Sequence, residues 1–526
     1  MNCSENSLTL QDLMYGVGIT DPATWTSLVK MKNHPYPWQF DTMKEAIATI
    51  TQHDRFGDFS DAGTGKTFPM QFVSVVFASY GNKVVCVMPP ILCEQFYETF
   101  TEFFIGIEKR LTIHILNQSP KKRDELMKGW DKSGWPDILL MSYQMFKIYA
   151  DRRRVFEKKK KVEGKPRPIT VRTPNPYPDL LRQKGYSLLI ADEAHALKEP
   201  GSQTHKRFWE YMEDTKGQYG LYLATGSPSG NTPEDAYGLI RLKTPEAYAS
   251  KWMFDSCHVI LDRNSKFRQI LGFRNFDLLN KNLYKNARRV SNEVFRTVKE
   301  PQIIEVKVAL EPAHKALYDQ VVQQRLLELP DGETITAIND QKMRQIAKQL
   351  ISSPQQYTDK KIHNSLLDAM DQTLEGIDTS KSKVIIFAYY KLTVETLAKH
   401  YAALNPAVIN GSSDTSKGRE KFLRDDSCKL AIINWQSGGV GLNLQENCHY
   451  LLFAETPTVP KDCWQAIARV DRNGQKNQVI AYFFRVIKTI AGKHIKTLIK
   501  KDAVNNQVVR DKRALLGELM GENNSE

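Results

Sequence analysis

Short apolar runs alternate with amphipathic stretches along most of the chain. In the first half the runs predict buried strands, and Leu92–Phe103 repeats apolar residues at helical spacing. The strands predicted there are Lys83–Met88, Leu111–Leu116, Ile138–Met141, Tyr186–Ala191 and Leu221–Ala224. Near-continuous apolar strands separated by helices are typical of an α/β fold with a mainly parallel sheet.

The alternation weakens between about 246 and 375, where helical segments dominate around one apparent strand at Ile303–Leu310. It then resumes, and the strands predicted in the second half are Lys383–Phe387, Val408–Ile409, Leu430–Asn434, Tyr450–Phe453 and Val479–Phe484. A chain of 526 residues is too long for a single hydrophobic core. We therefore predict two α/β lobes separated by helices.

The predicted domain organisation has five parts. These are an N-terminal segment (1–33), a first lobe (34–245) with a basic insertion (151–178), a helical linking region (246–375), a second lobe (376–505) and a C-terminal tail (506–526).

Composition indicates a globular protein without a membrane span. Apolar residues make up 41% and charged residues 25% of the chain, and no run approaches the roughly 18 apolar residues that a spanning helix needs. The N-terminus combines no basic region with an apolar one, so no secretory signal is predicted. Seven scattered cysteines without CxxC spacing argue against a disulfide framework or a zinc site. We expect a cytoplasmic protein, or a nuclear one if the source is eukaryotic.

The net charge of +13 is concentrated in places, above all in the insertion at 151–178. Its basic residues outnumber Asp151, Glu157 and Glu163, and its prolines exclude a long helix after Gly164, which favours a loop or ribbon. A run of four lysines, Lys158, Lys159, Lys160 and Lys161, is the candidate for contact with nucleic-acid phosphates. A solvated surface and a nuclear-import signal are the alternatives.

The stretch FSDAGTGKT, residues 59–67, is a glycine-rich loop that ends in lysine and threonine directly before an apolar helix. Such a loop can close its backbone N–H groups round phosphate oxygens, with the lysine on the outer phosphates and the threonine hydroxyl on Mg²⁺. The residues predicted to bind nucleotide are Gly63, Thr64, Gly65, Lys66 and Thr67. Ser60 stands where the usual pattern has glycine, and a surface turn can also carry GTGKT by chance.

The sequence DEAH at 192–195 follows the predicted strand Tyr186–Ala191 and supplies the acidic groups that ATP hydrolysis needs. Asp192 is predicted to hold Mg²⁺ together with Thr67, and Glu193 to act as general base. An acidic pair after a strand is also a common helix cap, but the upstream loop favours the nucleotide site.

Four further segments accompany these two motifs in the first lobe. They are WQ (38–39), VMPPILCEQF (87–96), LMSYQMF (140–146) and LATGSP (223–228). The ordered set resembles the motifs of superfamily-two helicase-like ATPases, and specifically of Swi/Snf-type DNA translocases, from about Pro35 to Lys501. The resemblance implies two tandem RecA-like lobes, with ATP and Mg²⁺ as ligands.

The resemblance also implies roles for particular residues. Gln39 would read adenine, Pro89, Pro90 and Ser142 would contact nucleic-acid phosphates, and Thr225, Gly226 and Ser227 would couple the ATP site to the nucleic-acid groove.

The second half carries segments similar to the remaining motifs of that family. They are FRNFDLL followed by ARRVSNEV (273–294), KVIIFAYY (383–390), INGSSDTSKGREKFLRDD (409–426), QSGGVGLNL (436–444) and QAIARVDRNGQ (465–475). Gly438 and Gly439 are expected to approach a phosphate, although glycines in a tight turn are the simpler explanation.

The last of these segments predicts a set of γ-phosphate contacts. Gln465, Arg469 and Arg472 have i, i+4 and i+7 spacing, which predicts one helical face that presents two guanidiniums to the γ-phosphate when the lobes close.

Three positions call for separate interpretation. Ala468 replaces a glycine that is usual in the family. Trp435 is expected to be a buried packing residue, with stacking on nucleic acid as the alternative. His195 is expected to link the acidic motif to the coupling motif, because it has no partner ligands for a metal.

These features predict an ATP-driven motor on double-stranded DNA, in the compact form found in phages and bacteria. A strand-separating helicase on forked DNA or RNA, with the basic insertion as a wedge, is one alternative. An ATP-gated DNA clamp that recruits partners is the other.

Overall fold

The computed structural model describes most of the chain, and it divides into two compact units. Residues 1–229 and 233–294 belong to the first unit, and residues 230–232 and 295–526 belong to the second. Side chains are described for 35–148, 177–213, 220–262, 264–265, 267–324, 340–410, 417–435, 444–445 and 448–509, and the backbone also for 30–31, 154–162, 165–172, 326–328, 334–336 and 415–416. Within these residues no helix has both the length and the apolar character that a membrane crossing requires.

The first unit is built on a seven-stranded sheet. Its strands, with those of three two-stranded ribbons, are β1 (Lys30–Met31), β2 (Arg55–Asp58), β3 (Lys83–Met88), β4 (Phe104–Ile105), β5 (Ile113–Ile115), β6 (Ile138–Ser142), β7 (Arg154–Val162), β8 (Lys165–Arg172), β9 (Tyr186–Asp192), β10 (Gly220–Ala224), β11 (Val259–Leu261), β12 (Ile270–Phe273) and β13 (Ala287–Arg288). The sheet order is β13-β2-β10-β9-β3-β6-β5, and every neighbouring pair is parallel.

Helices accompany this sheet because its strands are apolar on both faces. They are α1 (Pro37–His53), α2 (Thr67–Ser79), α3 (Pro90–Phe103), α4 (Pro120–Ser133), α5 (Tyr143–Lys147), α6 (Tyr177–Gln183), α7 (Gln203–Glu213), α8 (Asp235–Lys243), α9 (Lys251–His258) and α10 (Phe276–Tyr284). Alternate strand residues, such as Val84, Cys86 and Ile190, form one core with apolar residues of α1, α2 and α3. The intervening residues, such as Val85 and Leu189, are also fully buried.

The basic insertion forms an antiparallel ribbon. Strand β7 pairs with β8, from Arg154 opposite Arg172 to Val162 opposite Lys165, with an irregular register between Glu157 and Lys160. The prolines Pro166 and Pro168 lie in β8 without creating a helix, as the sequence predicted. The expected ribbon is confirmed at the level of the backbone.

The second unit contains a parallel sheet of six strands. Its strands, with those of one further ribbon, are β14 (Gln302–Val308), β15 (Leu326–Glu328), β16 (Thr334–Thr336), β17 (Lys383–Ala388), β18 (Ala407–Ile409), β19 (Leu430–Asn434), β20 (Cys448–Phe453) and β21 (Ile480–Val486). The sheet order is β14-β21-β20-β17-β19-β18. The prediction of two parallel-sheet α/β lobes is thereby confirmed.

Helices cover both faces of this second sheet. They are α11 (Pro312–Gln324), α12 (Asp340–Ser352), α13 (Ser365–Glu375), α14 (Lys391–His400), α15 (Thr415–Arg424), α16 (Pro460–Ile467) and α17 (Ile490–Val509). One face packs on residues of α15, α16 and α17, such as Phe422 and Leu498. The other face packs on α11 to α14 through residues such as Tyr318, Ile351 and Met370.

The segment predicted as a linking region, 246–375, contributes to both units. Its first part, up to Val294, belongs to the first unit and adds β13 to the edge of that sheet, where Ala287 is paired with Gly57. Its second part adds β14 and three helices to the second unit. The ribbon of β11 and β12 and the strand β13 were not predicted, because these segments are short and carry no alternating apolar pattern.

Candidate nucleotide site and nucleic-acid edge

Five of the motifs predicted for the first lobe lie at the ends of strands of one parallel sheet, whereas the WQ element lies at the start of helix α1. The glycine-rich loop 59–67 follows β2, the coupling motif follows β10, the acidic motif ends β9, the prolines follow β3, and Ser142 ends β6. These five strands are consecutive neighbours in the order β2-β10-β9-β3-β6. Because the strands are parallel, their carboxyl ends share one edge, where ligands of open α/β sheets bind.

The glycine-rich loop has the backbone that its sequence predicts. Gly63 and Gly65 have φ values of 89° and 80°, in the left-handed region that favours glycine. A Cβ atom at Gly65 would lie 2.5 Å from Gln39 Nε2, so a larger residue there would displace the Gln39 amide from its present position. Lys66 Nζ donates to the carbonyl oxygens of Ser60 (2.8 Å) and Asp61 (2.9 Å). The ammonium is thus held inside the loop, where an anion would meet it.

The WQ element contacts this loop directly. Trp38 Nε1 donates to Thr64 O (3.1 Å), and Gln39 Nε2 donates to Gly65 O (3.0 Å). Gln39 Oε1 accepts from Tyr36 N (2.9 Å), and the rings of Tyr36 and Trp38 are stacked with centroids 4.6 Å apart. Both ends of the Gln39 amide therefore bond within the fold. Its position beside the loop agrees with the predicted location, while its contact with adenine stays a prediction.

The acidic motif lies at the end of the neighbouring strand β9. Asp192 Oδ1 accepts from Glu193 N at 2.8 Å, and Glu193 has a φ of 53°, which is uncommon for a residue with a side chain. Burial and the charge of Glu193 raise the pKa of the Asp192 carboxyl, while the Lys66 ammonium acts in the opposite direction. The electrostatic contact with Lys66 brings the acidic motif and the loop into one site.

His195 joins the acidic motif to the coupling motif. Its Nδ1 lies 3.1 Å from Glu193 Oε2 and 3.3 Å from Thr225 Oγ1. Thr225 N in turn donates to Asp58 O at 3.0 Å, immediately before the phosphate loop. The expected linking position of His195 is what the geometry shows.

Gly226 borders the loop without a side chain. A Cβ atom there would lie 3.1 Å from Ala62 N and 3.4 Å from Lys66 Nζ. The third predicted coupling residue, Ser227, donates its backbone N–H to Thr225 Oγ1 (3.1 Å). The three coupling residues therefore form one turn against the phosphate loop.

The residues of this edge fit a magnesium nucleotide. At Gly226 a Cβ atom would crowd the loop beside Lys66, whose ammonium supplies a cation there. The Thr67 hydroxyl and the Asp192 carboxylate are hard oxygen donors, which Mg²⁺ prefers, and Mg²⁺ usually completes its coordination with water and substrate phosphates. Within the described residues no group of three or more His, Cys, Asp or Glu could hold a metal ion without such help.

A set of contacts that the sequence did not predict ties the loop to the segment after β13. Ser60 Oγ accepts from Val290 N (3.0 Å), and Asp61 N donates to Val290 O (2.9 Å). Asp61 Oδ1 also accepts from Arg289 at 3.1–3.2 Å. Ser60 is only 2% exposed, so its hydroxyl is a hydrogen-bond acceptor for a buried backbone amide. A glycine at this position would leave that amide without this acceptor. The sequence showed that serine replaces the usual glycine at position 60. It did not show that Ser60 bonds to Val290, which lies 230 residues away in the chain.

The predicted nucleic-acid residues of the first unit lie on the other half of the same edge. Met88, just before Pro89 and Pro90, is the pairing partner of Ser142 in the parallel sheet. Pro90 is exposed and Pro89 half-buried, so both are accessible. Ser142 is only 3% exposed, and its hydroxyl accepts from Met145 N (3.3 Å) as the N-cap of α5. This capping role accounts for Ser142 without a ligand.

Two sets of predicted nucleic-acid residues cannot be compared with the structure. The side chains of Lys158, Lys159, Lys160 and Lys161 lie outside the described residues, although their backbone belongs to β7. Gly438 and Gly439 fall in 436–443, which is also outside them.

The prediction that Gln465, Arg469 and Arg472 share one helical face is wrong. Helix α16 ends at Ile467, and the chain continues in turns, with Arg469 N bonded to Ala466 O and Arg472 N to Val470 O. Gln465 is therefore helical, and both arginines follow the helix. Two anchors hold these turns: Arg296 pairs with Asp471 at 2.5 Å, and Gln475 Nε2 donates to Cys448 O and Val470 O.

The two arginines differ in exposure and contacts. Arg469 is 6% exposed, and its carbonyl oxygen accepts from Leu444 N (3.2 Å). Arg472 is half-buried, and its Nε donates to Ala468 O. Trp435 is a packing residue, as expected: it stacks on Phe387 at 4.9 Å and donates from Nε1 to Glu455 O (2.9 Å).

Comparison with protein families identifies two matching regions. The model of the SNF2-related domain matches residues 31–367, and the model of the helicase conserved C-terminal domain matches residues 365–474. The first match alone covers more than half of the chain.

Among individual proteins the likeness is low in identity and long in extent. The chain is 22% identical over 371 residues to an uncharacterized ATP-dependent helicase of Bacillus subtilis, with 66% of this chain and 64% of that protein covered. It is 22% identical over 527 residues to a RAD54-like DNA repair and recombination protein of Drosophila ananassae, with 86% and 60% covered. The chain thus spans less than two thirds of the length of these relatives.

One solved structure that resembles the chain is the SWI2/SNF2 ATPase core of Sulfolobus solfataricus in complex with dsDNA. The sequence identity is 16%, the TM-score is 0.38, and the match covers 91% of this chain and 95% of that one.

Proposed function

The chain belongs to the SNF2-related family of helicase-like ATPases, and from this membership we propose that it couples ATP hydrolysis to movement along double-stranded DNA. The motor would use the phosphate loop of the first unit and would track the DNA backbone without separating the strands. Mostly sequence-independent phosphate contacts suit a protein that must move along its substrate.

One observation carries this proposal. The five parallel strands β2-β10-β9-β3-β6 bring a phosphate loop, a coupling turn and an acidic motif to one half of an edge, and the prolines after β3 to the other half. His195, between Glu193 and Thr225, provides a physical link inside this arrangement. With both sets of residues on one edge of the sheet, hydrolysis of a bound nucleotide can change the affinity of the same edge for a nearby polyanion.

We assign the steps of ATP binding and hydrolysis to particular residues of the first unit. Lys66 and the N–H groups of the loop would bind the phosphates, and Thr67 and Asp192 would hold Mg²⁺. Bound Mg²⁺ would neutralise charge on the phosphate oxygens. Glu193 would orient and deprotonate the attacking water. Its backbone conformation is set by the Glu193 N to Asp192 Oδ1 bond and its carboxylate is paired with His195, so its position is defined before any ligand binds.

Arg469 and Arg472 remain candidates for contact with the γ-phosphate. We propose that they neutralise charge that develops as the phosphoryl group is transferred. They would do so from consecutive turns after α16 and not from one helical face. Gln465 would assist in nucleotide binding from the helix itself.

Nucleic-acid contacts are proposed at three places. The accessible prolines Pro89 and Pro90 lie on the half of the edge away from the phosphate loop, and the basic ribbon of β7 and β8 carries four consecutive lysines. Gly438 and Gly439 are proposed from sequence alone. The partner is proposed to be duplex DNA, with single-stranded DNA and RNA as the competing substrates.

The experiment that tests the proposal is the rate of ATP hydrolysis by the full chain with duplex DNA, single-stranded DNA, RNA or no nucleic acid. The expected result is strong stimulation by blunt duplex DNA. Stimulation by single strands or forks alone, together with duplex unwinding, would replace the proposal with a strand-separating helicase. Persistent DNA binding with no turnover would replace it with a clamp.

A further inference from the structure

The second unit contains a cavity of about 540 Å³ that is lined by none of the predicted nucleotide-binding or nucleic-acid-binding residues, although Tyr389 and Tyr390 of the segment KVIIFAYY lie in its wall. It lies where β17 and β20 end, and helix α12 and the first turns of α17 complete its wall. Every lining residue belongs to the second unit, whereas the phosphate loop belongs to the first. A volume of this size is typical of sites for small molecules.

The wall of the cavity carries an excess of positive charge from two helices. Arg344 and Lys348 are four residues apart, and so share one face of α12, and Lys391 begins α14. Neither the Arg344 guanidinium nor the Lys391 ammonium has a hydrogen-bond or ion-pair partner in the described part of the chain. Lys348 Nζ bonds to His494 Nδ1 at 3.1 Å, and the negative charge of Glu455 acts on the Lys348 ammonium without an ion pair to it in the described residues.

The single carboxylate of the wall, Glu455, does not pair with these cations because its oxygens are already used. Its Oε1 accepts from Ser352 Oγ (2.7 Å) and Thr393 Oγ1 (2.8 Å). Its Oε2 accepts from the backbone N–H groups of Tyr389 (2.7 Å) and Tyr390 (3.0 Å). Glu455 therefore fixes the two tyrosines that line the cavity, and the three cationic side chains of the wall outnumber its one carboxylate.

We propose that this cavity binds a ligand that carries an oligophosphate group. The planar guanidinium of Arg344 suits bidentate contact with phosphate oxygens, and two ammonium groups add point charges across the same space. The cavity is larger than one phosphate, and the amides of Gln341, Gln345 and Asn434 with the Tyr389 and Tyr390 rings offer polar and flat surfaces for an attached group. A nucleoside polyphosphate and a free oligophosphate share this chemistry.

The test measures the equilibrium binding of inorganic triphosphate to the full chain carrying Lys66→Ala, which removes the main cation of the phosphate loop. Adding Arg344→Gln and Lys391→Gln should weaken this binding about tenfold or more, because two charge-assisted contacts are lost. Both side chains are exposed, and within the described residues neither makes a hydrogen bond or an ion pair. The control replaces Lys399 and Lys493, which are exposed and outside the cavity, with Gln, and should leave the affinity unchanged.

Further measurements distinguish a nucleoside polyphosphate from a free oligophosphate as the ligand of the cavity. Tighter binding of ATP than of triphosphate in the Lys66→Ala chain would assign the site to a nucleotide, and equal binding would assign it to a free oligophosphate; either result supports the proposal. Absence of triphosphate binding, an equal loss in the control chain, or an effect confined to the binding of a short duplex DNA would overturn it. None of these measurements depends on ATP hydrolysis, so their failure is distinguishable from failure of the motor proposal.

Discussion

Glu193 occupies an uncommon backbone conformation at the end of β9, with its carboxylate 3.1 Å from His195 Nδ1. If it is the general base, Glu193→Gln should lower kcat for ATP by about 10²–10⁴-fold, which is the usual contribution of such a group. ATP binding should persist, because the amide keeps the size of the side chain and Lys66 is intact. Lys66→Ala, by contrast, should lose both binding and hydrolysis.

Steady-state hydrolysis and nucleotide-binding titrations of the two variants check this assignment. The matched control is Glu199→Gln, since Glu199 is exposed and its carboxylate accepts a hydrogen bond from the nearby Gly201 N. Near-normal turnover in Glu193→Gln would remove Glu193 from the catalytic role.

Ser60 provides a second prediction for a single residue. Its hydroxyl is the acceptor for the buried Val290 N–H, so Ser60→Ala should leave that amide without this partner. An unsatisfied buried amide costs about 1–3 kcal/mol. Local opening of 287–294 should therefore become roughly tenfold to a hundredfold more frequent, as measured by hydrogen exchange of peptides from this segment.

The control for this measurement is Ser133→Ala, at an exposed helix end whose hydroxyl bonds only to Gly129 O. Unchanged exchange of 287–294 in Ser60→Ala would mean that the hydroxyl contributes nothing to holding this segment against the phosphate loop.

At the scale of elements, the basic ribbon of β7 and β8 yields a prediction about salt dependence. If Lys158–Lys161 contact DNA phosphates, replacing all four with Gln should weaken duplex binding and reduce the slope of log K against log salt by up to about 3.6. The loss should be uniform across DNA sequences, because phosphate contacts carry no sequence information. Duplex binding over a range of salt concentrations measures both effects.

Helix α4 offers a control with the same change in charge. Lys121, Lys122, Lys128 and Lys132 are all exposed on it, and their replacement with Gln removes four charges that do not belong to the ribbon. The ribbon would be excluded from DNA binding if both fourfold variants showed the wild-type slope, or if both lowered it equally.

The sequence predicted best those elements in which burial determines the pattern of apolar residues. Strand β3 is apolar on both faces because helices cover both sides of the sheet, so Lys83–Met88 was predicted with its observed bounds. Strand β13 has only two residues and joins the sheet through backbone bonds to β2. Its side chains therefore left no periodic signal, and only the tertiary structure shows it.

The segment 465–475 shows why regular spacing is weaker evidence than burial. An i, i+4, i+7 pattern of polar residues is compatible with a helix, but it does not require one. The buried ion pair between Arg296 and Asp471 and the bonds of the Gln475 amide anchor turns after Ile467. These partners are distant in sequence, so spacing within the segment could not predict them.

For the molecule as a whole, the two parallel-sheet lobes were predictable from sequence, as was the left-handed backbone of Gly63 and Gly65 in the loop 59–67. The motifs lie at strand ends, and parallel strands place such ends together, so alternation and motif order were sufficient. The division of 246–375 between the units was not predictable, since it depends on which sheet each helix covers. The contacts of Ser60 and the cationic cavity of the second unit likewise arise from tertiary structure.

If ATP hydrolysis drives movement along intact duplex DNA, the moving chain should displace the third strand of a DNA triplex. We expect that the full chain with ATP displaces the third strand, that the Lys66→Ala and Glu193→Gln variants do not, and that a forked duplex stays paired under the same conditions. Rapid DNA-stimulated ATP hydrolysis that leaves the triplex intact, or displacement only where the underlying duplex is also unwound, would contradict it.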